Sequence, residues 1–323
     1  MRLLCIAFLM VLALPGVAEQ HDAPEEKIIR IGVRVDTRPF AWQDPTTGDF
    51  RGFLADLCTA AVTRAGFPFR LVPVDATERL RFLKERDHAY DVLCDPTTIS
   101  LGRLQSFARG PFPDRLRFSP IVFVANGVWV RNADAKITPL AAPPDDTDCV
   151  PKLTNPEPGP EGNTAARDYL TAGFVVGTTA EALLNRLLRE NALPVTDRQS
   201  ICPVAQASHV EGITAFCKGT LAFYFGDLDI VRETASDLVN RGIVESCGFD
   251  HAPTPISYEP YALIVTDRTD GFRPLFVAAL YAVFADRIST SSTAEHFFDR
   301  YFEDLERSPF LDALFRINRL PPG

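Results

Sequence analysis

The stretch Ile28-Ile-Arg-Ile-Gly-Val-Arg-Val35 alternates in the manner of a half-buried β-strand. A helical pattern follows from Phe53 to Ala65, and Gly66 suits its C-terminal end. An apolar run over Phe69–Pro73 predicts a second strand. The chain therefore opens with a strand, a helix and a strand.

The next segments extend this order. Asp75 and Glu78 have the spacing of a capping box, which predicts a helix that runs through Lys84. Tyr90 to Cys94 reads as a third short strand. A β-α-β-α-β order is typical of parallel strands covered by helices on both faces, so we predict an α/β fold.

The same alternation of strands and helices starts again later in the chain. Phe174–Val176 and Leu221–Phe225 are predicted strands, and Thr178–Glu190 and Val210–Lys218 are predicted helices. An apolar run without proline, Ile121–Val130, separates the two α/β units. This arrangement predicts two lobes joined by crossing strands.

Residues 138–163 contain seven prolines, which predicts a loop. Such a segment can be a disordered linker, but Cys149 within it suggests that the loop is held down instead. After Ser257–Val265, the residues 272–284 and 293–301 have amphipathic helical patterns.

The N-terminus has the features of a secretory signal. Arg2 precedes the apolar run Leu3–Leu14, and Gly16-Val-Ala18 offers small residues for cleavage after residue 18. A short membrane anchor is the alternative, but the apolar run is too short to span a bilayer comfortably. We expect a mature protein that is soluble and lies outside the cytoplasm.

Loss of residues 1–18 removes one arginine and takes the formal net charge from −9 to −10. This acidic balance argues against a nucleic-acid partner. Six cysteines remain after cleavage: Cys58, Cys94, Cys149, Cys202, Cys217 and Cys247. An even number in an exported chain predicts disulfides. No C-x-x-C pair or ligand-spaced histidine set suggests a metal, and no motif suggests a cofactor.

Three segments carry groups that suit a free α-amino acid. Arg103 closes the run Cys94–Arg103, where its guanidinium can bind a carboxylate through two parallel hydrogen bonds. Gly177-Thr-Thr-Ala-Glu181 is a glycine turn into a helix, with a T-x-x-E capping pattern and free N–H groups. Asp227 follows an apolar strand and suits an ammonium group, although a helix cap is an equal reading of its local sequence.

The chain resembles the polar amino-acid class of periplasmic solute-binding proteins of ABC importers. The matching segments lie in family order over roughly residues 28–303, and they are Gly32–Phe40, Gly52–Leu57, Asp91–Arg103, Phe118–Pro120, Val176–Glu181, Tyr224–Asp227 and Glu259–Leu263. Within the class, Arg34, the Cys94 segment and Val176–Leu187 look most similar to glutamate- and aspartate-binding members.

The resemblance implies a type II periplasmic binding protein fold with two α/β lobes and two crossing hinge strands. Residues 28–122 and 264–323 would form lobe 1, residues 128–257 would form lobe 2, and the hinge would lie near 122–128 and 257–264. Cys58 and Cys94 would then pair in lobe 1. The other four would pair in lobe 2, as Cys149–Cys202 and Cys217–Cys247.

By position in the family, Arg103 would grip the ligand's α-carboxylate and Thr98 would bind beside it. Thr178 and Thr179 would contribute at the start of the lobe 2 helix, and Asp227 would hold the α-ammonium. The chain departs from the family at Thr37-Arg38 and Asp95-Pro96, which puts the side-chain pocket in question.

The side-chain pocket rests on fewer residues. Arg34, with help from Arg38, would pair with the second carboxylate of an acidic ligand, because an unpaired buried charge costs several kcal/mol. The competing interpretation is that Arg34 is a solvated strand-end residue and that the ligand is neutral or basic. Phe40 and Trp42 either wall the pocket or belong to the core, and Phe40 is the candidate for a ligand contact.

We therefore predict a monomeric, non-catalytic protein that delivers an amino acid, glutamate or aspartate, to an inner-membrane ABC permease. Two alternatives stay open. A periplasmic dehydratase acting on a prephenate-like acid uses the same kind of fold, and a sensor module would report the ligand to a membrane partner.

Overall fold

The computed structural model describes residues 27–85, 90–110, 115–134, 139–142, 144, 149–151, 168–190, 192, 199–286, 291–303, 305 and 307–319. The predicted signal over residues 1–18 and most of the proline-rich segment 138–163 lie outside these residues.

Strands and helices alternate through the chain. In order they are β1 (Ile29–Arg34), β2 (Asp36–Thr37), β3 (Ala41–Gln43), β4 (Phe50–Arg51), α1 (Phe53–Arg64), β5 (Phe69–Val74), α2 (Ala76–Glu85), β6 (Val92–Thr98), α3 (Leu101–Ala108), β7 (Leu116–Asn132), β8 (Val150–Pro151), β9 (Asp168–Val175), α4 (Thr179–Arg189), β10 (Gln199–Gln206), α5 (His209–Cys217), β11 (Phe223–Asp227), α6 (Leu228–Asn240), β12 (Phe249–His251), β13 (Ser257–Thr266), α7 (Phe272–Ala285), α8 (Thr293–Tyr301) and α9 (Pro309–Asn318).

The main sheet has the strand order β5-β1-β6-β13-β7-β11-β9-β10-β8. β1 pairs in parallel with both β5 and β6, and β9 pairs in parallel with both β10 and β11. The two long strands β7 and β13 are antiparallel to each other and lie between these two parallel groups. The α/β fold with two lobes and two crossing strands is therefore confirmed.

Local signals in the sequence account for most helix ends. Asp75 and Glu78 exchange side-chain-to-backbone hydrogen bonds of 2.7 and 3.2 Å ahead of α2, which is the predicted capping box. Gly66 follows α1 with φ of 81°, a left-handed conformation that glycine adopts without steric cost.

The predicted capping box at Thr178 does not form. The Thr178 hydroxyl donates to the Val175 carbonyl at 2.7 Å, and Glu181 accepts from the backbone N–H of Gly177 at 2.7 Å. Because both side chains bond to residues before the helix, they brace the turn into α4 and leave its first N–H groups without a side-chain cap.

A cluster of aromatic rings fills the core beside the long strands. Phe123 of β7 packs against Phe40 and Phe53 at ring distances of 4.8 and 5.9 Å. Phe298 and Phe302 stack at 4.7 Å beside the same cluster, so the C-terminal helices pack on the N-terminal half of the sheet.

Three disulfides join Cys58 to Cys94, Cys149 to Cys202 and Cys217 to Cys247, so the predicted pairing is confirmed. The first bridge links α1 to β6, and the other two join cysteines within residues 149–247. Within the described ranges, no helix is both long enough and apolar enough to cross a membrane.

Candidate functional site

One pocket gathers residues from both halves of the sheet. Its walls come from the ends of β1, β6 and β11, from the starts of α3 and α4, and from the middle of β7. The lining residues are Arg34, Thr37, Arg79, Asp95, Pro96, Thr98, Arg103, Gly127, Val128, Thr178, Thr179, Ala180, Leu183, His209, Gly226, Asp227, Ile230, Ser257 and Glu259.

Six of the seven predicted ligand contacts lie here: Arg34, Thr98, Arg103, Thr178, Thr179 and Asp227. Phe40 does not. Its ring is fully buried and packs edge-on against Phe123 and Tyr261 at 4.8 and 5.2 Å, so the prediction of a ligand contact is corrected to a core role. Arg38 is also elsewhere, with its guanidinium 4.4 Å above the Trp42 ring and 3.4 Å from Asp237.

Arg103 is the most available cation in the pocket. Its Nη1 donates to the Thr98 carbonyl at 2.8 Å and its Nη2 donates to the Gly177 carbonyl at 3.2 Å, so two backbone oxygens orient the fork. Burial, with Arg79 nearby, lowers the pKa of Arg103 to about 10, which leaves it charged at neutral pH. None of its described hydrogen bonds goes to a carboxylate.

The N-terminus of α4 faces Arg103. The Thr98 and Thr179 hydroxyl oxygens are 3.5 Å apart, and Thr178 and Thr179 are only partly buried. The first N–H groups of a helix have no partner within it and carry positive potential. Arg103, Thr98 and this helix end together form a site for one carboxylate.

Arg34 occupies a different electrostatic setting. It is 1% exposed, and its Nε and Nη2 donate to Oδ1 of Asp36 at 3.1 and 2.5 Å. Its Nη1 donates to Asp95 at 3.3 Å. Burial alone would lower the pKa of Arg34, but the two aspartates raise it above its usual value. The protein itself therefore neutralises the charge of Arg34.

Asp95 connects this pair to a second arginine. Arg79 of α2 is 4% exposed and its Nε donates to Asp95 Oδ2 at 2.6 Å, while Thr97 donates its hydroxyl to the same carboxylate. Arg79 also reaches the Gly177 carbonyl with Nη1 at 3.3 Å. Two arginines and two aspartates thus form a closed, charge-balanced network beneath the pocket.

His209 lies at the edge of this network. Its backbone N–H donates to Asp36 Oδ2 at 2.9 Å, and its Nδ1 lies 3.0 Å from the Tyr224 hydroxyl. Burial lowers the pKa of His209 to about 4, so the ring is neutral at pH 7.

The opposite wall is acidic. Asp227 ends β11, and burial together with Glu259 raises its pKa well above the usual value, with smaller effects from Tyr261, Asp229 and Asp95. Glu259 of β13 is 5% exposed; its Oε1 accepts from the Ser257 hydroxyl at 2.6 Å, and its Oε2 is buried without a partner.

Sequence reasoning missed four of these residues: Asp36, Arg79, His209 and Glu259. Asp36 had a usable signal, because it lies two positions after Arg34 and alternate residues of an extended chain share a side. Glu259 also had one, since a lone carboxylate in the apolar stretch 257–265 needs a reason to be buried. The positions of Arg79 and His209 depend on how distant elements pack.

Comparison with known proteins identifies the family of this chain. The model for bacterial extracellular solute-binding proteins, family 3, matches residues 29–304. The chain belongs to this family. No curated protein sequence matches the chain significantly.

Solved structures of amino-acid-binding proteins share its fold. One is described as the arginine-, lysine-, histidine-binding protein ArtJ from Geobacillus stearothermophilus, with 17% identity, a TM-score of 0.61, and coverage of 89% of this chain and 99% of that one. Another is a putative binding component of an ABC transporter from Wolinella succinogenes complexed with lysine, with 18% identity, a TM-score of 0.56, and coverage of 85% and 96%.

A third similar structure is an ancestral amino acid-binding protein described as a precursor of cyclohexadienyl dehydratase. It has 15% identity and a TM-score of 0.56, and the match covers 85% of this chain and 95% of that one. At these identities the likeness shows the fold. The family model shows the membership of the chain in family 3, and its ligand must be argued from its own pocket.

Proposed function

We propose that the chain captures one free α-amino acid between its lobes and delivers it, as a monomer in the periplasm, to an inner-membrane ABC importer. The observation that carries this proposal is the placement of Arg103 and Asp227 in one pocket. A guanidinium and a carboxylate on facing walls match the two charges of an amino-acid backbone.

In this proposal Arg103, Thr98 and the start of α4 receive the α-carboxylate, and Asp227 receives the α-ammonium. The hinge is formed by residues 122–128 and 257–264, the lobes have the predicted boundaries, and closure follows ligand binding. The antiparallel pairing of β7 with β13 over Glu259–Tyr261 supports this hinge, because both strands cross there together.

The contacts of Arg34 do not support an acidic ligand. A second ligand carboxylate would have to compete with Asp36 and Asp95, which already neutralise that guanidinium. Glutamate or aspartate therefore stays a prediction from resemblance, and Arg34→Ala would test it by weakening those two ligands more than glutamine or asparagine.

The test of amino-acid capture is calorimetric titration of the common amino acids into the wild type and two variants. Arg103→Ala and Asp227→Asn should each weaken the best ligand by at least ~100-fold, because each leaves a buried ligand charge unpaired. Arg186→Ala, an exposed arginine of α4, serves as the matched control and should bind as the wild type does. Failure of every amino acid to bind, or wild-type affinity in either variant, would contradict the proposal.

A dehydratase-like enzyme is the second candidate, and the raised pKa of Asp227 favours it specifically. A carboxyl group whose pKa is raised by burial holds its proton to higher pH, which suits the role of a general acid. Incubation with a prephenate-like acid separates the two candidates. Product formation that Asp227→Asn abolishes would establish the enzyme, whereas capture of an amino acid without turnover supports the binding protein.

A further inference from the structure

Asp227 and Glu259, the two carboxylates of the acidic wall, lie beside the same glycine, Gly127. In the sheet, Gly127 of β7 pairs with Asp227 on one side and with Ser257 on the other. A Cβ added at Gly127 would collide with the Ser257 hydroxyl and lie 3.3 Å from Glu259 Oε1. The absent side chain therefore leaves the space in which Asp227 and Glu259 approach the same part of the pocket.

The carboxylate of Glu259 has the features of one half of a cation-binding site. The Ser257 hydroxyl fixes one carboxylate oxygen at 2.6 Å, and the other oxygen is buried and has no partner. A buried carboxylate oxygen without a hydrogen bond carries a large desolvation cost. A cationic group of the ligand would remove that cost.

The charges of the pocket residues indicate which charge the side chain of the ligand should carry. Arg34 and Arg79 are balanced by Asp36 and Asp95, and His209 is neutral at pH 7. Among the described lining residues, this leaves Arg103 against Asp227 and Glu259. Burial and the nearby Glu259 raise the pKa of Asp227, and a ligand cation beside both carboxylates favours their ionised forms. With both carboxylates ionised, a zwitterionic amino-acid backbone matches Arg103 and one of them, so one negative charge stays without a partner.

We propose that the pocket selects an amino acid with a positively charged side chain, and that Glu259 is the residue that selects it. This inference rests on the proposed amino-acid capture and contradicts the acidic ligand expected from resemblance. Because Asp227 and Glu259 are close, the α-ammonium and the side-chain cation lie along one acidic wall and share it. An acidic side chain would add a second negative charge to that wall and is excluded.

The test compares lysine, ornithine and arginine with glutamine and glutamate by calorimetry on the wild type, Glu259→Gln and the control Glu190→Gln. Glu190 lies in an exposed i,i+4 pair with Arg186 and does not line the pocket. The wild type should bind at least one cationic amino acid about 100-fold more tightly than glutamine, in line with a buried charge pair. Glu259→Gln should lose most of that preference, and Glu190→Gln should keep it.

The outcomes separate the two proposals. If no amino acid binds the wild type, amino-acid capture fails. If the wild type binds glutamine or glutamate more tightly than every cationic amino acid, capture stands and the cationic assignment is overturned. If Glu259→Gln folds and keeps the preference, the role of Glu259 is overturned; if it fails to fold, Ser257→Ala gives the second measurement. That variant frees Glu259 from its only described hydrogen bond, and an unchanged ratio of lysine to glutamine affinity would overturn the role of Glu259.

Discussion

At the scale of single residues, burial of a carboxyl group without a compensating cation is the recurring feature of this chain. Asp227 and Glu259 show it in the pocket, and Asp229 shows it just outside. Asp229 is 8% exposed in the first turn of α6, and burial raises its pKa to about 6 from a usual 3.8. Arg232 offsets this shift only in part.

Asp229 should therefore make stability depend on pH. Because its folded-state pKa is raised, the folded protein binds more protons than the unfolded chain between pH about 4 and 6, and stability falls as pH rises through that range. Asp229→Asn removes this loss. Relative to the wild type, the variant should gain about 1–3 kcal/mol on going from pH 4 to pH 7, reduced by the favourable effect of a negative charge at a helix start.

Denaturant unfolding of both proteins at pH 4 and pH 7 measures this difference. A stability difference between the two proteins that is the same at both pH values would show that Asp229 titrates normally.

At the scale of elements, the turn into α4 is where the two walls of the pocket touch. The Gly177 carbonyl accepts from Arg79 and from Arg103, at 3.3 and 3.2 Å, and Leu80 of α2 packs beside the glycine. Gly177 has φ of 75°, a conformation that other residues rarely adopt. A Cβ at this position would lie 2.5 Å from a Leu80 methyl group.

Gly177→Ala should weaken the closed arrangement by steric contact with Leu80, whereas the backbone strain lowers the stability of the fold with or without ligand. We expect a loss of ~1–3 kcal/mol in ligand affinity, which is the usual cost of forcing an extra methyl group into a packed contact. The double variant Gly177→Ala/Leu80→Ala removes the collision and should recover part of the affinity relative to the single one. Calorimetry on the three proteins checks this; equal affinity of Gly177→Ala and wild type would mean that this turn does not limit closure.

The elements also show what the sequence was able to predict. The predicted strands and helices exist, because alternation, the Asp75–Glu78 box and Gly66 act locally. Some strand bounds were wrong: β9 begins at Asp168 and not at Phe174, where pairing with β10 extends it, and β6 continues to Thr98, where pairing with β13 extends it beyond the predicted end at Cys94. Phe40 was misplaced because a lone aromatic after a strand gives no sign of which face it joins.

The pocket also contains features that the sequence predicted and features that it did not. Arg103 and Asp227 were found because each closes a recognisable run. The neutralisation of Arg34 could not be predicted, since Asp95 and Arg79 reach it only through the packing of β6 and α2. Charge balance in a buried site is a property of the assembled network, and single residues in the sequence do not reveal it.

At the scale of the whole molecule, covalent links stay within each proposed lobe. Cys58–Cys94 lies in the first, and Cys149–Cys202 and Cys217–Cys247 lie in the second. The described contacts between the proposed lobes are non-covalent: His209 N–H bonds to Asp36, Arg103 to Gly177 and Arg38 to Asp237, and Leu80 packs beside Gly177. This distribution is what the proposed hinge closure requires, because disulfides between the lobes would hold the cleft in one arrangement.

This division of roles predicts that a disulfide far from the cleft serves stability and not binding. Cys217 ends α5, and its bridge to Cys247 spans a sequence separation of 30 residues. Loop-closure entropy for that length gives a loss of ~3–4 kcal/mol in unfolding free energy when Cys217→Ala/Cys247→Ala removes it. Ligand affinity should stay within about threefold of wild type, because neither cysteine lines the pocket. Urea unfolding and calorimetry on the same samples give both quantities. A tenfold or larger loss of affinity in a folded variant would show that the bridge positions the cleft, and would count against rigid lobes that move as units.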